Sequence, residues 1–283
     1  MTEQRHKYDY LPQPNSAPER VIRVVGKDKR VLELGTGPGS ITRFLKDNGC
    51  RVTGLELDEE AIEIVTPYCE RIYRCNLNDP AWPSIVSDYS RFEVIVLADV
   101  LEHLYDPWEV LKSVHGLLAD DGYVVVSLPH SGHNSVITCL LRGDFDYQPW
   151  GILDKTHIRF FGIKNIATLF AEAGLKIVSV EFVVKKPEQT EFAEQWRLLP
   201  TTTKLALSSN RFGNVYQVVV KAVPQSAPGK ALDLETLPIP VPDAPSAIAR
   251  ARDNRILKFL GSFVSRKTRQ RVVRMLERVG FKS

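Results

Sequence analysis

The 283-residue chain lacks several features that would place it in special classes of protein. No apolar run approaches the ~20 residues that a membrane-spanning helix requires. The opening segment MTEQRHKYDY is polar, so we expect no secretory signal here. The cysteines form no CxxC pair and no zinc-ligand spacing, and we expect them to be small buried residues in a reducing cytoplasm. They are Cys50, Cys69, Cys75 and Cys139.

Charge is balanced over most of the chain and strongly basic at its end. Hydrophobic residues make up 43% and charged residues 25%, which is ordinary for a globular protein and excludes a mostly disordered chain. Residues 244–283 carry 11 Lys or Arg against 2 Asp or Glu. Apolar stripes at helical spacing predict basic amphipathic helices over 247–283. Such helices bind anionic lipid surfaces or dock on protein, and no nucleic-acid-binding motif accompanies them.

Short apolar runs alternate with amphipathic stretches from residue 30 to 184. Repeated strand–helix units predict an α/β fold, a mostly parallel Rossmann-like sheet with helices on both faces. An earlier helix is expected after Ser16, an N-cap with Glu19 three residues later. Residues 187–209 are also expected to be helical, and a last strand at 215–223 is expected to run antiparallel. The other strands are predicted at 30–35, 51–56, 71–75, 92–98, 122–128 and 175–184, and helices at 39–48, 59–68, 107–118 and 164–173.

Composition predicts a modular chain. Residues 223–246 are rich in Pro, Ala and Ser, which is typical of a linker. The predicted segments are a lead at 1–17, a domain at 18–222 with an insertion at 130–161, the linker, and the basic tail at 247–283.

The segment VLELGTGPGS at 31–40 is the most informative motif. Three glycines follow a predicted strand, where glycine lets the backbone turn tightly against a ligand. The dinucleotide fingerprint would need its third glycine at position 40, which is Ser40. Glu33, two residues before the first glycine, completes the pattern ExGxGxG of S-adenosylmethionine-binding loops. A nicotinamide-dependent oxidoreductase is the alternative.

Polar side chains also end the next two predicted strands. Glu56 lies 17 residues after Gly39, where a carboxylate can accept both ribose hydroxyls of a nucleoside. Asn76 follows the third strand, where an amide can bind the adenine edge. These positions predict a nucleoside-binding crevice at the carboxyl ends of the strands.

Four segments make the chain resemble class I S-adenosylmethionine-dependent methyltransferases over about 18–222. VLELGTGPG is similar to their first motif, and VTGLELDEEAI to their second-strand motif. FEVIVLADVLEHLYDPWEVL (92–111) resembles the ubiquinone-biosynthesis O-methyltransferase branch, and GILDKTHIRFFG (151–162) resembles methyltransferases of bacterial surface-polysaccharide pathways. The resemblance implies a seven-stranded sheet with an antiparallel last strand and S-adenosylmethionine as methyl donor. It implies cofactor contacts from Glu33, Gly35, Gly37, Gly39, Glu56 and Asp99, the last near the methionine end, and it places Asn76 where Asp is commoner.

Two groups of side chains are candidates for activating an acceptor. Asp99, Glu102 and His103 resemble the ExxEH metal site of ubiquinone-pathway and small-RNA O-methyltransferases, and would hold Mg²⁺ or Mn²⁺. The alternative is that Glu102 and His103 serve helix start and packing. His157, oriented by Asp154, is the predicted general base, with His130 next. The alternative is that these side chains only hold the insertion together.

We therefore expect a cytoplasmic methyltransferase that acts on oxygen, with peripheral contact at the inner face of the membrane as a further prediction. The expected acceptor is a sugar hydroxyl in a surface glycan or its lipid-linked precursor. One alternative acceptor is a quinone-type or other small phenol; another reading is a non-catalytic S-adenosylmethionine-binding scaffold. Aromatic residues of the insertion are predicted to form a substrate lid: Phe145, Tyr147, Trp150, Phe160 and Phe161.

Overall fold

A computed structural model describes residues 13–87 and 91–241. The strands are β1 (Arg30–Leu34), β2 (Arg51–Glu56), β3 (Arg71–Arg74), β4 (Phe92–Ala98), β5 (Leu118–Pro129), β6 (Leu175–Val184) and β7 (Val215–Pro224). The helices are α1 (Ala17–Val25), α2 (Thr42–Asp47), α3 (Glu59–Val65), α4 (Pro107–Val114), α5 (Asn134–Leu141), α6 (Ile163–Glu172), α7 (Ala193–Arg197) and α8 (Thr201–Leu207). The predicted basic tail and the lead before residue 13 lie outside the described residues.

The described strands form one seven-stranded sheet in the order β3-β2-β1-β4-β5-β7-β6. The pairs from β3 to β5 are parallel, and β7 runs antiparallel to both β5 and β6. The predicted fold class is confirmed, including the antiparallel last strand. Chain order reverses between β1 and β4, and in open α/β sheets ligands bind in the crevice at such a reversal.

Both faces of the sheet are covered because its strands alternate between two cores. In β1, Val31 packs toward α1 and α2, whereas Leu32 and Leu34 pack toward α4 and α6. The same alternation in β4 and β5 explains their apolar runs at 94–98 and 123–126, since strands buried on both faces need no polar side. Ser16 begins α1 as predicted, with its hydroxyl accepting from the Glu19 amide at 3.4 Å.

Three local differences from the predicted elements have clear causes. Strand β5 begins at Leu118, four residues early, because Leu118 pairs with Phe92 across a register shift. The stretch 187–209, expected to be helical, contains the two short helices α7 and α8, separated near Pro200, which cannot donate to a helix ladder. The third difference lies in the Pro-rich segment that was predicted to be a linker. Its Leu234 is buried in the core, and Leu237 and Ile239 pack against that core.

Within residues 13–87 and 91–241, no helix has the length and apolarity needed to cross a bilayer.

Candidate active site

The glycine-rich loop after β1 lies at the reversal point of the sheet. Gly35 and Gly37 adopt left-handed φ angles of +70° and +52°, which favour glycine. A Cβ added at Gly35 would lie 2.8 Å from the Val100 side chain, so the loop sits directly against the end of β4. A Cβ added at Gly37 would meet nothing within 4 Å, so this backbone faces open space. The loop therefore offers bare main chain to a ligand.

Glu33 is a buried acid beneath this loop. Its side chain is 2% exposed, and its Oε2 accepts a hydrogen bond from the Thr42 hydroxyl at 2.8 Å. Burial raises the pKa of Glu33 to about 8, and the nearby Glu56 charge adds to the rise. A cationic group brought into the crevice would stabilise its ionised form. This suits the ammonium of a bound amino acid moiety.

Glu56 joins the tip of β2 to the glycine loop. Its Oε2 accepts from the Gly37 amide at 2.7 Å, and its Oε1 accepts from the Leu57 and Asp58 amides at 2.7 and 2.9 Å. A carboxylate offers about four acceptor sites, so one on Oε2 stays available. The predicted ribose contact is thus compatible with the geometry.

Asn76 begins a turn after β3. Its side-chain oxygen accepts from the Asn78 amide at 3.0 Å, so the amide nitrogen is the group left for a base edge. A cavity of about 270 Å³ opens beside it, with Arg74 and Trp82 also in its wall. Asn76 therefore lies in the wall of a cavity, two residues after the end of β3.

Asp99 follows β4 in a left-handed conformation, φ +53°. Its Oδ1 accepts from the Ser127 hydroxyl at 2.8 Å, and the Gln217 amide donates to Oδ1 and Oδ2 at 2.9 and 3.1 Å. Burial raises the pKa of Asp99, and these donors oppose the rise. Sequence reasoning missed both partners: nothing marks Gln217, 118 residues away, as a neighbour of this loop.

A second group forms where the turn after β4 meets the insertion. Glu102, His103 and His157 bring one ligand atom each within 4.8 Å of the others. The His103 and His157 rings meet edge to face at 4.7 Å, and His157 Nε2 lies 3.9 Å from Glu102 Oε1. The structure therefore unites two predicted ligands with the predicted base. Asp99 lies outside this trio.

Backbone hydrogen bonds hold this group together. The Glu102 carbonyl accepts from the Ile158 and Arg159 amides at 2.9 and 3.0 Å, which fastens the insertion to the turn. The His157 Nδ1 meets the Ile152 carbonyl at 3.0 Å. Because that carbonyl can only accept, it favours the tautomer with the proton on Nδ1 and a lone pair on Nε2.

Asp154 acts on His103 through Thr156. The Thr156 hydroxyl donates to Asp154 Oδ1 at 2.7 Å and lies 3.1 Å from His103 Nδ1. The hydroxyl proton is committed to the carboxylate, so the oxygen accepts from the imidazole and the His103 Nε2 keeps its lone pair. Asp154 was predicted to orient His157; its carboxylate instead accepts from Thr156, beside His103, a contact that the spacing did not reveal.

Glu102 supplies the test of a metal at this position. Its side chain is completely buried, and neither carboxylate oxygen has a hydrogen-bond partner. Burial raises the pKa of Glu102 well above its usual range, and the Asp99 charge adds to the rise. A divalent cation would supply the missing partner, and both imidazoles already turn Nδ1 toward an oxygen, as metal-ligating histidines do. These three residues fit a cation.

His130 directly follows the end of β5 and does not belong to the trio. Its Nδ1 meets the Val215 carbonyl at 3.1 Å, its side chain is buried, and burial lowers its pKa. The geometry favours a packing role over the predicted reserve base. Among the insertion aromatics, Phe161 is buried in the core, whereas Phe145, Tyr147, Trp150 and Phe160 are exposed.

Known proteins similar to this chain include a methyltransferase domain family and proteins named as methyltransferases. A model of the methyltransferase domain family matches residues 5–180. A ubiquinone biosynthesis O-methyltransferase of Coxiella burnetii is 24% identical over 170 residues, 59% of this chain and 71% of that protein. One of the same name from Nitrosospira multiformis is 23% identical over 166 residues, 57% and 68% of the two chains.

Solved structures share the fold at low identity. A SAM-dependent methyltransferase from Archaeoglobus fulgidus matches with a TM-score of 0.52 and 15% identity, covering 72% of this chain and 91% of that one. The magnesium protoporphyrin IX methyltransferase of Synechocystis, solved with bound S-adenosylhomocysteine, matches at 0.51 and 13% identity, covering 74% and 83%.

Proposed function

Because the chain belongs to the methyltransferase domain family, we propose that it transfers the methyl group of S-adenosylmethionine to a hydroxyl oxygen of a small acceptor. The chain is a methyltransferase, and S-adenosylmethionine is its cofactor. The observation that supports an oxygen acceptor is the buried Glu102 carboxylate, which lacks a hydrogen-bond partner and is grouped with two imidazoles.

We assign the cofactor to the crevice between β1 and β4. The backbone of Gly35, Gly37 and Gly39 lies against it, and Glu56 accepts from the ribose. Asn76 binds the adenine edge, and Glu33 and Asp99 face the methionine end. When bound, S-adenosylmethionine supplies an electrophilic methyl group and a neutral thioether leaving group, so the protein must align and deprotonate the acceptor.

We assign the trio of Glu102, His103 and His157 to the acceptor. These residues would hold a divalent cation, which would lower the pKa of a hydroxyl group beside it. Two imidazoles and one carboxylate would suit a first-row transition ion such as Mn²⁺ better than Mg²⁺, because Mg²⁺ prefers oxygen ligands. Without a cation, the His157 lone pair on Nε2 is placed to take the hydroxyl proton directly.

A phenolic hydroxyl is the acceptor that we favour. Two relatives are named as ubiquinone biosynthesis O-methyltransferases. A phenol has a pKa near 10, so an imidazole or a cation can ionise it more readily than an aliphatic hydroxyl. The exposed rings of Phe145 and Tyr147, stacked with centroids 6.0 Å apart, offer an aromatic surface on the insertion. A sugar hydroxyl remains the second candidate, since aromatic faces beside polar groups also suit sugars.

The test is methyl transfer from labelled S-adenosylmethionine by the full-length protein, after chelation and with Mn²⁺ or Mg²⁺ added back. Acceptors are a catechol and a lipid-linked oligosaccharide fraction. We expect catechol methylation that needs Mn²⁺, and a fall in turnover of about 100-fold in Glu102→Gln. The exposed His115 provides a matched control: His115→Ala should keep full rate, whereas His157→Ala should not.

Each contrary result rejects a different part of the proposed function. Transfer only to the oligosaccharide rejects the phenol. Full turnover after chelation and in Glu102→Gln rejects the cation, while loss in His157→Ala alone keeps that residue as base. Full turnover in both variants places acceptor activation elsewhere.

A further inference from the structure

Two side chains, Gln217 and Ser127, donate hydrogen bonds to the Asp99 carboxylate. Its amide nitrogen spans both oxygens, at 2.9 and 3.1 Å, while Ser127 reaches Oδ1 alone. Oδ1 therefore accepts two hydrogen bonds and Oδ2 accepts one. A carboxylate oxygen has two acceptor sites, so Oδ2 keeps one of them.

The fold brings Gln217 to this point from the far end of the domain. It lies in β7, opposite Pro129 of β5 and Val183 of β6. Because β7 runs antiparallel to β5, its first residues lie at the same end of the sheet as the carboxyl ends of β1, β4 and β5. A parallel last strand would place its carboxyl end there instead. Gln217 also lies beyond the 5–180 region that the family model matches.

The Asp99 backbone adds a second constraint on the same carboxylate. Its φ of +53° is rare for a residue with a side chain, and its amide donates to the Ser127 carbonyl at 3.2 Å. Such a conformation persists only where the surrounding structure holds it in place. Backbone and side chain are thus fixed together, beside the Gly35 loop that contacts Val100.

We propose that Gln217 is a positioning residue for the cofactor's amino acid end: it holds the Asp99 carboxylate so that the remaining acceptor site of Oδ2 faces the ammonium group. The inference rests on the proposed cofactor role of Asp99. A fixed acceptor binds more tightly than a mobile one, because less side-chain freedom is lost on binding. Gln217 acts through Asp99 and needs no contact with the cofactor.

Two ligands separate this role from a purely structural one. S-adenosylhomocysteine carries the amino acid end, whereas 5′-methylthioadenosine keeps the nucleoside and lacks that end. Gln217→Met conserves length and removes the donor, and Gln225→Met makes the same change at an exposed position just past β7. Calorimetry on the full-length protein should show a Kd for S-adenosylhomocysteine raised about tenfold in Gln217→Met alone. The Kd for 5′-methylthioadenosine should stay within about twofold in both variants.

The outcomes are distinct. Equal losses for both ligands in Gln217→Met would show a general packing defect and overturn the positioning role, as would unchanged affinity for both. Retained 5′-methylthioadenosine binding shows that the variant is folded. Failure of the unaltered protein to bind either ligand would overturn the cofactor assignment itself, and this inference with it.

Discussion

At the residue scale, Glu33 makes stability depend on pH. Its pKa is about 8 in the folded protein and about 4.5 when unfolded. Between these values the folded state holds a proton that the unfolded chain has lost, so the free energy of unfolding falls as pH rises. One such group contributes a slope of up to about 1.4 kcal/mol per pH unit, which ends above pH 8.

Glu33→Gln should remove this slope. Relative to the unaltered protein, the variant should gain stability steadily from pH 5 to 8 in urea denaturation, with the Thr42 hydroxyl still donating to the amide oxygen. Glu60→Gln on exposed α3 is the control and should leave the slope unchanged. Parallel stability curves for the two variants would mean that Glu33 is ionised in the folded protein at neutral pH.

At the element scale, two glycines of the loop between β1 and α2 are expected to have different roles, one in stability and one in ligand binding. Gly35→Ala should cost about 3 kcal/mol, because a left-handed φ and a 2.8 Å approach to Val100 both oppose a Cβ. Gly37→Ala meets only the backbone penalty, about 1 kcal/mol, yet its methyl group enters the open crevice.

Thermal unfolding and calorimetry with S-adenosylhomocysteine should therefore rank these variants oppositely. Gly35→Ala should lose more stability. Gly37→Ala should remain well folded, but its affinity for S-adenosylhomocysteine should fall further than its small loss of stability explains. Similar affinity in Gly37→Ala and the unaltered protein would place the cofactor away from this loop.

Elements were predictable where local pattern decides them. Strands β2, β4 and β6 end where their apolar runs end, and Ser16 marks the start of α1. The early start of β5 at Leu118 depends on pairing with β4, which no local pattern encodes. The site divides in the same way: glycine spacing identified the loop, but the contacts of Gln217 with Asp99 and of Thr156 with His103 arise only from tertiary structure.

At the scale of the whole molecule, the domain and the basic tail are predicted to work separately. Deleting residues 244–283 keeps Leu234, Leu237 and Ile239, which pack in the core. The truncated protein should keep its melting temperature within a few degrees and its affinity for S-adenosylhomocysteine. It should lose binding to vesicles of anionic lipid, since the tail carries 11 of the chain's 37 basic residues.

Cosedimentation with phosphatidylglycerol vesicles at low and at physiological salt measures this. Neutral phosphatidylcholine vesicles serve as the control. Equal binding by both protein lengths would assign membrane contact to the domain, and no binding by the full chain would end the membrane proposal.

The hydrogen bond between Glu56 and Gly37 also fixes the shape of the glycine loop. Because the Gly37 amide is already tied to the tip of β2, the loop has its shape before any nucleoside arrives. Its main-chain hydrogens should exchange slowly with solvent even in the empty protein. Capture of the cofactor should then proceed at a rate set by diffusion into the crevice, with little delay for ordering the loop.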